Sequence, residues 1–227
     1  MKHFSVILLL FVFCQLFGQK KQCFCDKNTL MNGSTISCET IKLKNNSKLY
    51  WQYNCDRIWL TLENTEGNKV TVDEVDIDLY NYTHRLGFHL IKEYENTLLF
   101  RSGCSASGPC SYILIDKNNG EKIDEYGQLI CIDTDSLWSE VSRKYEFDFI
   151  VYLSQDSDDL IIYFIDTKQT IKIPFKEKFT AIVPEQQFDK MSLDNSILTL
   201  FYSTEEDPQK TLKINLAPKN AFGDEKF

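Results

Sequence analysis

The strongest constraint in this chain is a succession of short apolar segments that alternate with period two, each closed by turn-forming residues. Arg57 to Glu63 places Ile58, Leu60 and Leu62 on one side, and Asn64 to Asn68 then interrupts it before Lys69 to Val75 resumes with Val70 and Val72. Ser111 to Asp116 and Glu121 to Tyr126 flank Lys117-Asn-Asn-Gly120 in the same way. Alternation of this kind buries one face of a strand and wets the other, and the intervening residues fix a hairpin. The Asn119-Gly120 pair predicts a two-residue type I′ turn, which needs positive φ at both positions.

Further strands are predicted at Phe147 to Leu153, Leu160 to Asp166, Thr170 to Phe175, Ile197 to Tyr202 and Thr211 to Leu216, all rich in β-branched and aromatic residues. Helical periodicity is confined to Ser136 to Tyr145, with Asp135 as N-cap. The chain is therefore predicted to be all-β, an antiparallel meander. A strand of the type LLF, LIIYF or ILTLF recurs at Ile58, Leu98, Leu160 and Ile197, followed each time by a turn and a second strand. Spacings of this order suggest propeller blades.

The segment Tyr112-Ile-Leu-Ile-Asp-Lys-Asn-Asn-Gly-Glu-Lys-Ile123 resembles the hairpin of β-propeller repeats, in which a strand ends in Asp, a Gly turn follows and the next strand opens on a charge. The resemblance implies a β-propeller-like fold of about four blades. A two-sheet sandwich is the alternative. Propellers include both enzymes and binding scaffolds, so the likeness implies no function.

Lys2 and His3 precede an apolar run from Phe4 to Phe17, too short to span a bilayer and of signal-peptide form, with cleavage expected after Gly18. Cys14, Cys23 and Cys25 follow Phe13, Gln22 and Phe24, without the small residue of a lipoprotein signal. The expected organisation is a signal peptide over 1–18, a Cys-rich N-terminal segment over 19–56 that packs on the main domain, and an all-β domain over 57–227. No membrane insertion is expected, and the location is periplasmic or extracellular. Export places cysteines where disulfides persist. Cys104 and Cys110 flank turn-forming residues and are the first expected pair, and Cys38 with Cys55 is the second. Cys23, Cys25 and Cys131 remain unassigned, and the odd count after processing leaves one thiol over.

The formal charge of −8 becomes −9 when Lys2 is removed, which disfavours nucleic acid as a partner. Chemistry is sparse. Gly103-Cys-Ser-Ala-Ser-Gly108 is not G-x-S-x-G, and it lies between hairpin strands, not at a strand-to-helix elbow. His84 and His89 are five apart, a step that suits neither one helix face nor one strand face, and no metal motif accompanies them. Asp156, Asp158 and Asp159 lack the Gly and distal Glu of a calcium loop and read as a solvated turn. No metal and no cofactor is expected. Trp51, Tyr53, Tyr80, Tyr82, His84 and His89 are the candidate binding residues, as aromatic or imidazole groups able to line a groove. The leading expectation is a non-enzymatic exported protein that binds a protein or glycan through loops on a rigid scaffold, as an inhibitor, an immunity-type protein or an envelope glycan binder. The alternative is an extracytoplasmic hydrolase acting through paired carboxylates, with saccharides as the expected substrate class.

Overall fold

The computed structural model describes residues 40–54, 57–76, 88–104, 109–132 and 145–217. The chain divides into two compact units, Met1–Thr83 and His84–Phe227. The expected signal peptide, Cys23, Cys25, Cys38 and Cys55, and all but the last residue of the predicted helix lie outside the described residues. Tyr145, the end of that helix, is buried in non-helical backbone. Among the described residues no helix is long and apolar enough to cross a membrane.

The first unit holds one antiparallel sheet of β1 (Ile41–Lys42), β2 (Lys48–Tyr53), β3 (Arg57–Glu63) and β4 (Lys69–Asp76), in that order. β2 pairs with β3 from Lys48↔Glu63 to Tyr53↔Ile58, so the sheet runs across the expected boundary at residue 56. Leu49, Tyr53, Ile58, Leu60 and Leu62 are buried on one face of this sheet, the outcome expected of strict alternation in β3.

Among its described residues the second unit holds three antiparallel sheets, each in sequential order. The first comprises β5 (His89–Glu93), β6 (Thr97–Cys104), β7 (Cys110–Asp116) and β8 (Lys122–Tyr126). The next comprises β9 (Phe149–Leu153), β10 (Asp159–Phe164) and β11 (Gln169–Pro174). The last comprises β12 (Phe188–Asp194), β13 (Ile197–Tyr202) and β14 (Lys210–Asn215). One turn of 3-10 helix, Pro184–Gln187, precedes β12. A single core joins all three sheets, drawing Leu99, Tyr112 and Leu114 from the first, Ile150, Val151 and Ile162 from the second, and Phe188, Leu198 and Leu200 from the third. Lys92 clips the first sheet to the segment leading into β9. Its ammonium donates to the Glu146 carbonyl at 2.8 Å, pairs with Asp148 at 3.0 Å and lies over the Tyr94 ring.

The four recurrent segments of the sequence correspond to β3, β6, β10 and β13, each of which is flanked by a strand on both sides. The physical reason is backbone satisfaction. An inner strand has all its N–H and C=O groups paired, so it tolerates burial and takes the most apolar residues. The last strand of each sheet is mainly exposed or half-exposed: β4, β8, β11 and β14.

The hairpin turns use a common device. Asn64 Oδ1 accepts the N–H groups of Glu66 and Asn68, and Asp116 Oδ1 accepts those of Asn118 and Asn119. Ser154 Oγ accepts the N–H of Asp159. Each is a short polar side chain at the end of a strand or just after it that substitutes for lost ladder bonds. The predicted type I′ turn is not formed. Gly120 has φ 74°, but Asn119 is not in the positive region, and the Gly120 N–H reaches the Asp116 carbonyl across a four-residue loop. The Asp116 carboxylate, by holding two successive amides, favours the longer loop.

Candidate interaction surfaces

The aromatic cluster of the N-terminal unit is a strand, not a groove. Trp51 is half-buried in β2 opposite Leu60, and Tyr53 is only 5 % exposed opposite Ile58, so its ring lies in the core. On the other face of the sheet, Gln52 Oε1 accepts both the Trp59 indole N–H at 3.2 Å and the Thr61 hydroxyl at 2.8 Å. Beside them the Tyr50 hydroxyl donates to Glu63 at 2.8 Å, and Glu63 also takes Lys48 at 2.7 Å and Lys69 at 3.6 Å. The hydrogen bonds from Lys48 and then Tyr50 hold the Glu63 carboxyl down at about 2, against an ordinary 4.5.

A carboxyl depressed on folding stabilises the native state above its unfolded pKa and loses that contribution as pH falls through the folded value. The N-terminal sheet is therefore expected to lose stability progressively between about pH 4.5 and about 2. Urea unfolding followed by tryptophan fluorescence checks this. Glu63→Gln is expected to flatten that part of the pH profile, and an unchanged profile in the variant would refute the assignment.

Tyr80, Tyr82 and His84 lie outside the described residues. His89 is half-buried in β5 and stands in register with Arg101, which faces Tyr112, which in turn faces Tyr126. Cross-strand partners share a face, so these four residues form one row across the sheet. Arg101, Tyr112 and Tyr126 are buried, and the row belongs to the interior of the unit.

The row ends at a seam with the β9–β11 sheet. The Tyr126 ring packs against Tyr152 with centroids 5.4 Å apart and against Tyr163 at 6.2 Å. Asp124 projects from the same face of β8 as Tyr126, two residues earlier. Burial, reinforced by the Asp124 charge, raises the pKa of all three phenols. The Tyr126 hydroxyl is buried beside the Asp124 carboxylate, whose hydrogen bond to the phenol adds to the upward shift.

A second surface is the connection from β11 to β12. Its inner side is an aromatic cluster of Phe175, Phe179, Phe188 and Tyr202. Gln187 ties the loop down. Its Oε1 accepts the N–H groups of Thr180 at 2.7 Å and Ala181 at 2.8 Å, and its Nε2 donates to the Ser203 carbonyl at 3.2 Å. Glu177 accepts the Tyr202 hydroxyl at 3.1 Å and pairs with Lys210 at 2.8 Å. Burial and this hydrogen bond push the Tyr202 phenol up to about 12. Immediately beyond the tied residues Ile182 is 94 % exposed.

Cys104 and Cys110 are disulfide-bonded cross-strand partners at the end of β6 and β7, as expected from their spacing. The Cys131 thiol is free and donates to the Phe188 carbonyl, and burial, with the Asp189 charge, pushes it up to about 12. That places it among inert structural thiols and not reactive ones. The Asp156–Asp159 turn spends its carboxylates internally: Asp156 on the Ser154 hydroxyl and the Asp158 N–H, and Asp159 on Lys172 at 2.7 Å. Burial raises the pKa of Glu185, and its carboxylate takes the backbone N–H of Leu153 on β9, a structural use.

Asp124, Tyr152, Tyr163, Ile182 and Gln187 were not singled out in the sequence. The alternation of Glu121 to Tyr126 does place Asp124 and Tyr126 on one face. Nothing local pairs them with Tyr152 and Tyr163 of another sheet. Ile182 carried a weak signal, as an apolar residue outside any alternating segment.

No known protein family and no curated protein matches the chain. Among solved structures, it is similar to the uncharacterized protein lmo1340 from Listeria monocytogenes EGD-e, with 10% sequence identity and a TM-score of 0.32. The match covers 87% of this chain and 58% of that one, and a superposition so loose transfers neither fold nor role.

Proposed function

We propose that the chain is an exported, non-enzymatic protein that binds a protein partner through rigid loops, with its sheets set as propeller-type blades. Three features support the scaffold and its compartment. The sheets follow one another in sequence order, each ends in its most exposed strand or one nearly so, and a disulfide closes a hairpin as oxidising compartments allow. The observation that carries the binding reading is Ile182, almost wholly exposed beside the Thr180 and Ala181 amides that Gln187 holds while it is itself tied to the Ser203 carbonyl. A branched aliphatic group costs free energy when left in water, and a loop already ordered loses little entropy on docking. Ile182 has no polar group with which to recognise a glycan, so its complement is an apolar pocket on a protein.

The test is capture of partners from the envelope and secreted fractions of the host by the chain lacking residues 1–18, compared with its Ile182→Asp variant. A specific partner is expected to bind the first and to bind the variant at least about 30-fold more weakly, the scale of an interface hot spot. Trp51→Ala is expected to leave binding unchanged. Equal capture by Ile182→Asp, or turnover of a glycan panel by the purified chain, would remove this reading.

A further inference from the structure

The β7–β8 hairpin carries a covalent weak point, separate from the Ile182 loop. We propose that Asn119 is a site of spontaneous conversion to aspartate and isoaspartate, held in check by the folded loop. Asn119 is exposed, and among the described residues it is the one asparagine followed by glycine. Asparagine is a thermolabile side chain, and a following glycine leaves the attacking amide unshielded by any Cβ. The step is an internal acyl transfer, with no oxidation or reduction. The Gly120 nitrogen bonds to Asn119 Cγ, the Cγ–Nδ2 bond breaks, and the Gly120 amide proton departs with Nδ2 as ammonia. Water then opens the succinimide. Cleavage of the bond from nitrogen to Cγ gives aspartate, and cleavage of the bond to the Asn119 backbone carbonyl carbon gives isoaspartate.

The folded loop restrains each group that this step needs. The Gly120 N–H donates to the Asp116 carbonyl at 3.0 Å, so the nucleophile is engaged elsewhere. Asn119 Oδ1 accepts the Glu121 N–H at 2.9 Å, and Asn119 Nδ2 donates to Glu121 Oε2 at 3.0 Å. Asp116 Oδ1 accepts the N–H groups of Asn118 at 2.7 Å and Asn119 at 3.3 Å, and the Asp116 N–H closes the loop on the Glu121 carbonyl at 2.9 Å. Ring closure has to free the Gly120 amide from Asp116 and the Asn119 carboxamide from Glu121, so it proceeds from the locally opened hairpin. The opened population then sets the rate. Isoaspartate carries an extra backbone atom, its Cβ, between residues 119 and 120, and the loop cannot restore its bonds in the same register. Lys117, whose ammonium fastens this loop to Glu93 and the Tyr94 carbonyl, belongs to the same turn, so conversion loosens that clip as well.

The experiment incubates the purified chain at mildly alkaline pH, folded in buffer or unfolded in guanidinium chloride. Peptide-resolved mass spectrometry follows residue 119 and separates aspartate from isoaspartate. The wild type is expected to convert at least about tenfold more slowly when folded than when unfolded. Asp116→Ala removes the acceptor of two loop amides and is expected to convert faster than the wild type in buffer. Asp116→Asn keeps Oδ1 and is expected to convert at the wild-type rate. Glu121→Ala, at an exposed position, frees Asn119 Nδ2 and is expected to speed conversion without loss of the native far-UV spectrum. In denaturant all four chains are expected to match. The isoaspartate fraction, separated from its parent, is expected to unfold at a lower urea concentration. No conversion at Asn119 in denaturant, equal wild-type rates folded and unfolded, or wild-type rates in both Asp116→Ala and Glu121→Ala would overturn the proposal. None of these outcomes bears on capture through Ile182.

Discussion

Phe188→Ala is expected to destabilise the C-terminal unit by about 3–5 kcal/mol, the range for removal of a buried aromatic ring. Phe188 opens β12 and is 1 % exposed. Its ring lies 5.2 Å from Tyr202, 5.7 Å from Phe179 and 5.9 Å from Phe175. Deleting it removes the transfer free energy of the ring and leaves a cavity walled by three aromatic side chains, which pack as rigid plates and collapse poorly. The same cluster backs the loop that carries Ile182, and Glu177 joins it to Lys210 through the Tyr202 hydroxyl. Phe188→Leu retains volume and is expected to fall between the wild type and alanine. Urea denaturation with an unchanged slope measures the loss. A change below about 1 kcal/mol would mean that the site refills, against the packing described.

Lys117→Ala is expected to cost about 3 kcal/mol, the effect of stranding one partner of a buried ion pair. Lys117 lies in the β7–β8 loop with its side chain 1 % exposed. Its ammonium donates to Glu93 at 2.8 Å and to the Tyr94 carbonyl at 2.8 Å, and its own N–H donates to the Asn96 carbonyl. These bonds fasten the β7–β8 loop onto the β5–β6 turn. Alanine removes the Lys117 ammonium from the Glu93 carboxylate in a largely dehydrated site, and it takes a donor from the Tyr94 carbonyl. The pair Lys117→Met with Glu93→Gln removes both charges and keeps the volume, so it is expected to cost less than Lys117→Ala alone. A double-mutant cycle separates these contributions. Strict additivity of the single changes would show that the pair is not coupled. The loss is also expected to persist in high salt, because a buried pair is screened far less than the surface pairs of Lys48 or Arg57.

Much of the strand architecture was legible locally. Ile58, Leu60 and Leu62 alternate, and β3 buries all three. Ser111 to Asp116 and Ile197 to Tyr202 were placed to within a residue or two, because a period of two leaves few alternatives. The β12 strand was missed. Phe188, Met191 and Leu193 are interrupted by Asp189, Lys190 and Ser192, and a bulge between Phe188 and Lys190 shifts the register so that the alternation breaks. The Asn119-Gly120 turn misled for a similar reason, because Asp116 competes for the loop amides.

The candidate surfaces were less legible than the strands that support them. Tyr53 read as a groove residue and is core, since alternation fixes the face of a side chain but not which face is covered. Asp124 and Tyr126 share a face by period alone. Their meeting with Tyr152 and Tyr163 depends on how two sheets pack, a relation carried by no segment of the chain. The amino-acid order thus determined the all-β class, the hairpins and the Cys104–Cys110 bridge, because each is settled by residues only a few positions apart. Tertiary packing decided which tyrosines gather around one carboxylate and which isoleucine is left in water, because burial is a property of the whole assembled core.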